Sequence, residues 1–161
     1  KFVLYFSIII FNENNFMMKN ISAFFALLFV TISFAFQLGH EALLGEWYNT
    51  EKDAAILLYE CDGKVCGKIN WIKEPLENGK PKVDKNNPDP SKRNTPAMGL
   101  IILKSFEKTK EGYWENGTIY DPNNGKTYKA HMTLKDKNNL DVRGFIGFSL
   151  LGRTENWTRK Q

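Results

Sequence analysis

The sequence predicts an all-β domain folded as an eight-stranded antiparallel up-and-down barrel, and three observations lead to this prediction. After Gln37 no amphipathic helical stretch of convincing length occurs. Short runs rich in Val, Ile, Tyr, Phe and Trp recur instead, with polar residues alternating between the apolar ones. Turn signals separate these runs by only a few residues, which is typical of hairpins. Eight such strands can close into a barrel, and closure removes the exposed edges of an open sheet.

The predicted strands, in chain order, are residues 44–50, 54–60, 64–73, 100–107, 113–120, 127–134, 140–148 and 151–159. Turn-forming residues connect most of them, at 51–53, 62–63, 111–112, 121–125 and 136–139. Alternation within the strands predicts one apolar and one polar face. The predicted apolar faces include Val65, Gly67, Ile69 and Trp71 in the third strand and Tyr128, Ala130, Met132 and Leu134 in the sixth. A barrel of this size has room for its own side chains or for one small ligand.

The connection between the third and fourth predicted strands breaks this pattern. Residues 74–99, the proline-rich segment, hold five of the six prolines, so they cannot continue a sheet ladder. Long loops without secondary structure are uncommon in compact domains, and tend to be lids, binding segments or disordered. Because proline lowers the entropy of the unfolded chain, we expect an ordered cover that folds over one end of the barrel and controls access to its interior.

The amino-terminal residues are predicted to lie outside the fold. Residues 21–36 carry no charge, follow Lys19 and contain the small-x-small step Ser33-Phe34-Ala35, as in a secretory signal. This run is shorter than the roughly 20 residues that span a bilayer comfortably, so we expect cleavage and no stable membrane anchor afterwards. Residues 1–16 are interpreted as upstream translation, 17–35 as the signal peptide and 36–161 as a single exported domain, periplasmic or secreted.

The two cysteines, Cys61 and Cys66, flank a predicted Asp62-Gly63 turn between two strands. In an oxidising compartment such a pair favours a disulfide that closes the hairpin. The alternative is two thiols that never meet.

Charge and composition argue against several classes of function. The chain has 22 basic and 18 acidic residues, a net charge of +4, interspersed without a basic block, so we expect no nucleic-acid partner. The chain has only two cysteines and two histidines, whereas a structural zinc site needs about four such ligands. We therefore expect no metal and no cofactor. No nucleophile elbow, zinc-protease motif or phosphate-binding glycine loop occurs, which favours a binding protein over an enzyme.

Several short segments together resemble one known family. They are Gly45-Glu46-Trp47, Cys66-Gly67-Lys68-Ile69, residues 84–88, 117–122 and 125–128, Arg143-Gly144 and, most specific, Leu151-Gly152-Arg153-Thr154 with Trp157-Thr158-Arg159. In this order they resemble the exported bacterial family called domain of unknown function 2147, over essentially all of the mature chain. The resemblance implies a calycin, a lipocalin-like barrel, with no established activity.

The resemblance also implies how the barrel is closed. In lipocalin-like barrels a Gly-x-Trp on the first strand puts an indole at the closed end, where a basic side chain from the last strand packs across it. Trp47 matches that indole, with Arg159 or Arg153 as its partner, and an arginine over an indole contributes about 0.5–2 kcal/mol. Trp157 is an even number of residues from both arginines, so all three side chains are expected on the same side of the last strand. For both tryptophans we expect barrel closure, with plain core packing as the alternative.

The first functional hypothesis is a cell-envelope protein that holds a small apolar or amphipathic molecule in the barrel. The candidate ligand-binding residues are Trp71, Asp84, Asn87, Tyr120, Tyr128 and Arg143. Asp84 and Asn87 are expected to bond to backbone or to a polar head, and Arg143 to form an ion pair with the loop. A barrel filled by its own side chains is the structural alternative. The second hypothesis is an interaction module that binds protein or envelope polysaccharide through its outer surface or its long loop.

Overall fold

The computed structural model describes residues 41–161 of the chain. The segments predicted as upstream translation (1–16) and as signal peptide (17–35) lie outside the described residues. Within residues 41–161, no helix is long and apolar enough to cross a membrane.

Ten strands follow one another in the described residues: β1 (Gly45–Tyr48), β2 (Ala54–Cys61), β3 (Lys64–Ile72), β4 (Leu76–Glu77), β5 (Lys80–Pro81), β6 (Ile101–Lys110), β7 (Tyr113–Asp121), β8 (Lys126–Asp136), β9 (Asn139–Phe145) and β10 (Gly152–Arg159). One short 3-10 helix, Pro90–Lys92, lies between β5 and β6. Eight strands form a closed barrel in the order β1–β10–β9–β8–β7–β6–β3–β2, and the neighbouring pairs are antiparallel. The predicted eight-stranded antiparallel barrel is confirmed, and β4 and β5 form a separate hairpin.

The register of the strands defines which side chains face the barrel interior. Leu103 of β6 pairs with Ile119 of β7, and Ile119 pairs with Tyr128 of β8. This row faces inward, since Leu103 is fully buried in the core. Side chains alternate along a strand, so the residues next to this row face outward. They include Ile102, Lys104, Thr118, Tyr120 and Thr127.

Large aromatic side chains fill the barrel from its middle to the end at which β1 begins and β10 ends. Trp47, Trp114, Trp157 and Phe106 are all at most 2% exposed. A Cβ added to Gly117 of β7 would lie 2.4 Å from the Phe106 ring, so the ring packs directly over this glycine. Around these residues the barrel is filled by its own side chains, as in the structural alternative to a ligand-binding cavity.

Trp47 and Arg159 pack together at one end of the barrel. They are Cα partners in the β1–β10 ladder, and the guanidinium carbon of Arg159 lies 4.1 Å from the centre of a Trp47 ring. Arg159 also donates hydrogen bonds to three backbone carbonyls, those of Ala42, Leu44 and Lys137. The alternative partner, Arg153, is exposed and lies 3.9 Å from Glu155 instead. Trp157 is buried in the core and donates from Nε1 to Glu155 (3.1 Å).

A disulfide between Cys61 and Cys66 closes the β2–β3 hairpin across the Asp62-Gly63 turn, so the predicted bridge is confirmed. Its loop is short, and the entropy removed from the unfolded chain grows with loop length. The bridge therefore contributes only about 2 kcal/mol to stability.

The last two strands are shorter than predicted. β9 ends at Phe145 and β10 begins at Gly152, whereas the apolar alternation predicted strands at 140–148 and 151–159. Residues 146–151 form a loop, here called the apolar loop, in which Gly147 has a φ of 68°. This left-handed conformation interrupts an extended strand. The apolar run therefore belongs to a connection and not to the sheet.

Trp71 lies on the outer side of the barrel wall, contrary to the prediction that it shares the apolar face of Ile69. The β2–β3 ladder shifts register between Ala55 and Ile56, so Ile69 pairs with Ile56 while Trp71 pairs with Ala55. This β-bulge changes the alternation, which the sequence pattern alone does not reveal. The Trp71 ring packs edge-on against Tyr48 of β1, with 5.6 Å between ring centres.

Candidate functional site

A groove of about 620 Å³ lies between the proline-rich segment and the barrel wall formed by β6, β7 and β8. Its barrel side is lined mainly by outward-facing residues, which are Ile102, Lys104, Thr118, Tyr120 and Thr127. Its other side is lined chiefly by the segment, with Asp84, Asn87, Pro88, Lys92, Thr95, Pro96, Met98 and Gly99. We call it the outer groove, because it lies outside the barrel and not in its interior.

The proline-rich segment is ordered by hydrogen bonds within itself. The amide of Asp84 donates to the carbonyl of Thr95 (2.9 Å), and the amide of Ala97 donates to the carbonyl of Lys82 (2.9 Å). These bonds bring its two halves together around an isolated bridge between Val83 and Pro96. The segment is therefore a folded-back strap, as expected from its prolines.

Side-chain hydrogen bonds anchor this strap to the outer wall. The Asn86 amide donates to the carbonyls of Pro122 and Asn123 in the β7–β8 turn, at 3.0 Å each. The Tyr120 hydroxyl of β7 donates to Asp84 (2.7 Å). The prolines predict a cover over one end of the barrel, and the contacts place its anchors at the β7–β8 turn of one end and on the adjoining outer wall. Asp84 and Asn86 find their partners on the outer face of β7 and at the turn beside it.

Gly125 allows the strap to approach the β7–β8 turn closely. Its φ is 69°, and a Cβ there would lie 1.9 Å from the carbonyl oxygen of Asn86. Any other residue would therefore have to displace the backbone of the strap, in addition to adopting an unfavourable conformation.

Asp84 is the only charged side chain that is buried among residues 41–161. One carboxylate oxygen accepts the hydrogen bond from Tyr120, and the other accepts one from the side-chain amide of Asn87 (2.6 Å). A buried carboxylate is costly unless such donors satisfy it. The three residues therefore form one connected unit at the edge of the outer groove.

The electrostatics of this unit favour the neutral phenol of Tyr120. Burial, and next the hydrogen bond to Asp84, raise the pKa of Tyr120 to about 12. Tyr120 thus remains a hydrogen-bond donor at neutral pH. Because the pKa is raised in the folded state, its contribution to stability is complete below pH 10, the ordinary value for tyrosine, and is lost as the pH rises towards 12.

The outer groove combines apolar and cationic groups. Ile102 and Met98 supply apolar surface, and the lysines Lys92 and Lys104 supply charge. Lys92 already forms an ion pair with Asp89 (3.2 Å), whereas Lys104 has no ion-pair partner in the described part of the chain. Among residues 41–161, no three His, Cys, Asp or Glu side chains lie close enough together to hold a metal ion.

Three of the six predicted ligand-binding residues, Asp84, Asn87 and Tyr120, come together at the outer groove. Tyr128 belongs to the inward-facing row, and its hydroxyl accepts a hydrogen bond from Asn124 (3.1 Å). Trp71 is not among the residues that line the groove and packs against Tyr48 as described above.

The predicted ion pair between Arg143 and the proline-rich segment is wrong. Nε of Arg143 donates to the carbonyl of Ser149 (2.9 Å), and its two terminal nitrogens donate to Thr154 Oγ1 (2.8 Å) and to the carbonyl of Leu150 (3.4 Å). The Arg143 guanidinium therefore binds groups of its own β9–β10 hairpin. These groups lie nearer to Arg143 in the chain than the carboxylates of the proline-rich segment do.

Lys104, Thr118 and Thr127 line the groove although their sequence pattern does not predict it. Their alternation with Leu103 and Ile119 identifies them as outward-facing, but an outward-facing polar residue on a strand is ordinarily only solvated. They become part of a concave site because the strap docks beside them. No short-range pattern in the sequence predicts that contact.

Comparison with known proteins gives a family and a fold. Residues 45–159 match the model of a family described as "Uncharacterized protein conserved in bacteria (DUF2147)". Among solved structures, the chain is similar to protein HP1028 from the human pathogen Helicobacter pylori, described as belonging to the lipocalin family. The identity is 23%, the match covers 74% of this chain and 83% of that one, and the TM-score is 0.65. No curated protein sequence matches the chain. The likeness to HP1028 shows a lipocalin-like fold.

Proposed function

The chain belongs to the DUF2147 family, whose description names no activity, and we propose from the geometry that the protein binds a small anionic amphiphile in the outer groove. The observation that carries this proposal is the position of the groove. Tryptophan and phenylalanine side chains fill the barrel from its middle to the end at which Trp47 meets Arg159, whereas the strap and the outer wall form an open groove of about 620 Å³. That volume lies within the range of small-molecule sites.

The lining of the groove supports this class of ligand. Ile102, Met98 and Pro96 offer an apolar surface for a hydrocarbon chain. Lys104, which forms no ion pair within residues 41–161, offers its ammonium for an anionic head. Thr118 and Thr127 add hydroxyl groups that donate or accept hydrogen bonds. A fatty acid has both the chain and the anionic head that these groups match.

Binding is tested with a fluorescent fatty acid and a variant that fills the groove. Thr118→Trp is expected to weaken binding at least about tenfold, which corresponds to about 1.4 kcal/mol, because the indole takes the space of the ligand. Thr133→Trp is the matched control, since Thr133 is a half-buried position on β8 that does not line the groove. It should leave the affinity unchanged, and thermal melts should show that both variants are folded.

The role of charge is tested in the same titration. Lys104→Gln should weaken binding of the fatty acid and leave binding of its uncharged methyl ester unchanged. Equal affinity of Thr118→Trp and the unmodified protein would contradict the groove as the binding site.

We also propose that the protein is exported. The uncharged run at 21–36 after Lys19 and the Cys61–Cys66 disulfide support this, because disulfides persist in oxidising compartments. Amino-terminal sequencing of protein recovered from the cell envelope is expected to begin between Phe36 and Leu38. A recovered protein that still begins at Met17 or Met18 would contradict cleavage.

A further inference from the structure

The apolar loop, residues 146–151, exposes four large hydrophobic side chains. Ile146 is 68% exposed, Phe148 79%, Leu150 88% and Leu151 72%. Single exposed apolar residues are ordinary, but four within six residues concentrate apolar surface in one loop, as at interaction sites. None of them lines the outer groove, so the patch is independent of the function proposed above.

The backbone of this loop is held in one conformation by hydrogen bonds. The amide of Leu151 donates to the carbonyl of Phe148 (3.0 Å), and the amide of Ile146 donates to the carbonyl of Leu151 (3.2 Å). Arg143 donates to the carbonyls between them, those of Ser149 and Leu150. Four consecutive carbonyls from Phe148 to Leu151 are therefore satisfied within the protein. These satisfied carbonyls lower the cost of bringing the loop into an apolar medium.

Positive charge lies beside the apolar loop. Arg153 follows the loop directly, and its side chain is 78% exposed, with Glu155 only at 3.9 Å. On the neighbouring strand, Lys129 is the exposed register partner of Phe145, the residue before the loop. An apolar patch with exposed cations at its border matches the interface of an anionic membrane, where hydrocarbon lies beneath negatively charged headgroups.

We propose that the apolar loop docks the barrel onto an anionic lipid surface. The four apolar side chains enter the boundary between headgroups and acyl chains, and Arg153 and Lys129 contact the anionic headgroups. A lipid surface fits better than a folded partner, because a specific protein interface buries about 1,200–2,000 Å² of shaped surface in total, far more than one six-residue loop offers. Lipid requires no shape complementarity.

The test is co-sedimentation with vesicles of equal parts phosphatidylglycerol and phosphatidylcholine, using residues 36–161. This form contains every strand of the barrel, its core and its disulfide, and it omits the apolar 21–36 run apart from Phe36. We expect binding to these vesicles and about tenfold weaker partitioning when Phe148 and Leu150 are both replaced by serine. The control is Leu76→Ser, which removes an exposed apolar side chain (54%) from the β4–β5 hairpin and should bind as the unmodified protein does.

One further double variant and one further measurement complete the test. Replacing Lys129 and Arg153 with glutamate should reduce binding to the same vesicles at least about tenfold, because it reverses the charge at the border of the loop. Unreduced binding by the Phe148/Leu150 variant, or no binding by the unmodified protein, would overturn the proposal. A dimer in vesicle-free solution that disappears in the Phe148/Leu150 variant would also overturn it, since the loop would then cover itself with a second copy.

Discussion

Replacing Trp47 with alanine is expected to lower the free energy of unfolding by about 3–5 kcal/mol, as for other large-to-small changes of a buried aromatic residue. The Trp47 side chain is fully buried, its Nε1 donates to the carbonyl of Leu43 (2.9 Å), and the Arg159 guanidinium lies over its ring. The substitution leaves a cavity and also removes the surface against which Arg159 packs. Urea denaturation followed by circular dichroism measures the loss.

Trp71→Ala is the matched control for this experiment, because Trp71 is also a strand tryptophan but lies half-buried on the outer wall. Its loss should cost clearly less than the loss of Trp47, since part of its surface is already in water. Arg159→Lys keeps the positive charge but cannot reproduce the three backbone hydrogen bonds of the guanidinium, so it too should destabilise. An unfolding midpoint unchanged by Trp47→Ala would mean that this indole does not support the barrel.

Replacing Asp84 with alanine is expected to cost about 3 kcal/mol, because two hydrogen bonds to a charged group are each worth about 1.5 kcal/mol or more. The change leaves the Tyr120 hydroxyl and the Asn87 amide without their acceptor. Since this contact fastens the strap to β7, we expect the outer groove to loosen and fatty-acid binding to weaken together with stability. Chemical denaturation and the fluorescence titration measure the two effects.

Asp84→Asn separates the two hydrogen bonds, since its amide oxygen can still accept from Tyr120 while its amide nitrogen faces the donor of Asn87. It should lie between the unmodified protein and Asp84→Ala in stability. Asp89→Ala serves as the control, because Asp89 lies in the same segment, is not buried, and bonds to Ser91 and Lys92. If Asp84→Ala costs no more than Asp89→Ala, Asp84 is not the anchor of the strap.

The barrel and its disulfide could be predicted because both depend on short-range patterns. Turn residues such as Asp62-Gly63 determine where strands meet, and in a barrel of hairpins each strand pairs mostly with its neighbour in the chain. The contact between Trp47 and Arg159 was expected from the resemblance of the strand ends to lipocalin-like barrels. The barrel and the disulfide need no knowledge of distant packing, whereas the contact of Trp47 with Arg159, far apart in the chain, came from the resemblance alone.

The predictions that failed depend on contacts between distant residues or on local exceptions to alternation. The bulge between Ala55 and Ile56 turns Trp71 outward, although its spacing from Ile69 indicates the inner face. The apolar loop has a strand-like composition, and only the backbone of Gly147 and the Arg143 hydrogen bonds remove it from the sheet. The position of the strap depends on Asp84 meeting Tyr120, 36 residues away in the chain.

Amide chemical shifts of the 15N-labelled protein, recorded while a saturated fatty acid is added, locate the binding site directly. Binding in the outer groove predicts saturable shift changes at Lys104, Thr118, Tyr120 and Thr127, with the amides of the core residues Met132 and Trp157 unchanged. Changes centred on Met132 and Trp157 would place the ligand inside the barrel, and no saturable change at any residue would mean that the protein does not bind this class of molecule. Either result would contradict the outer groove as the functional site.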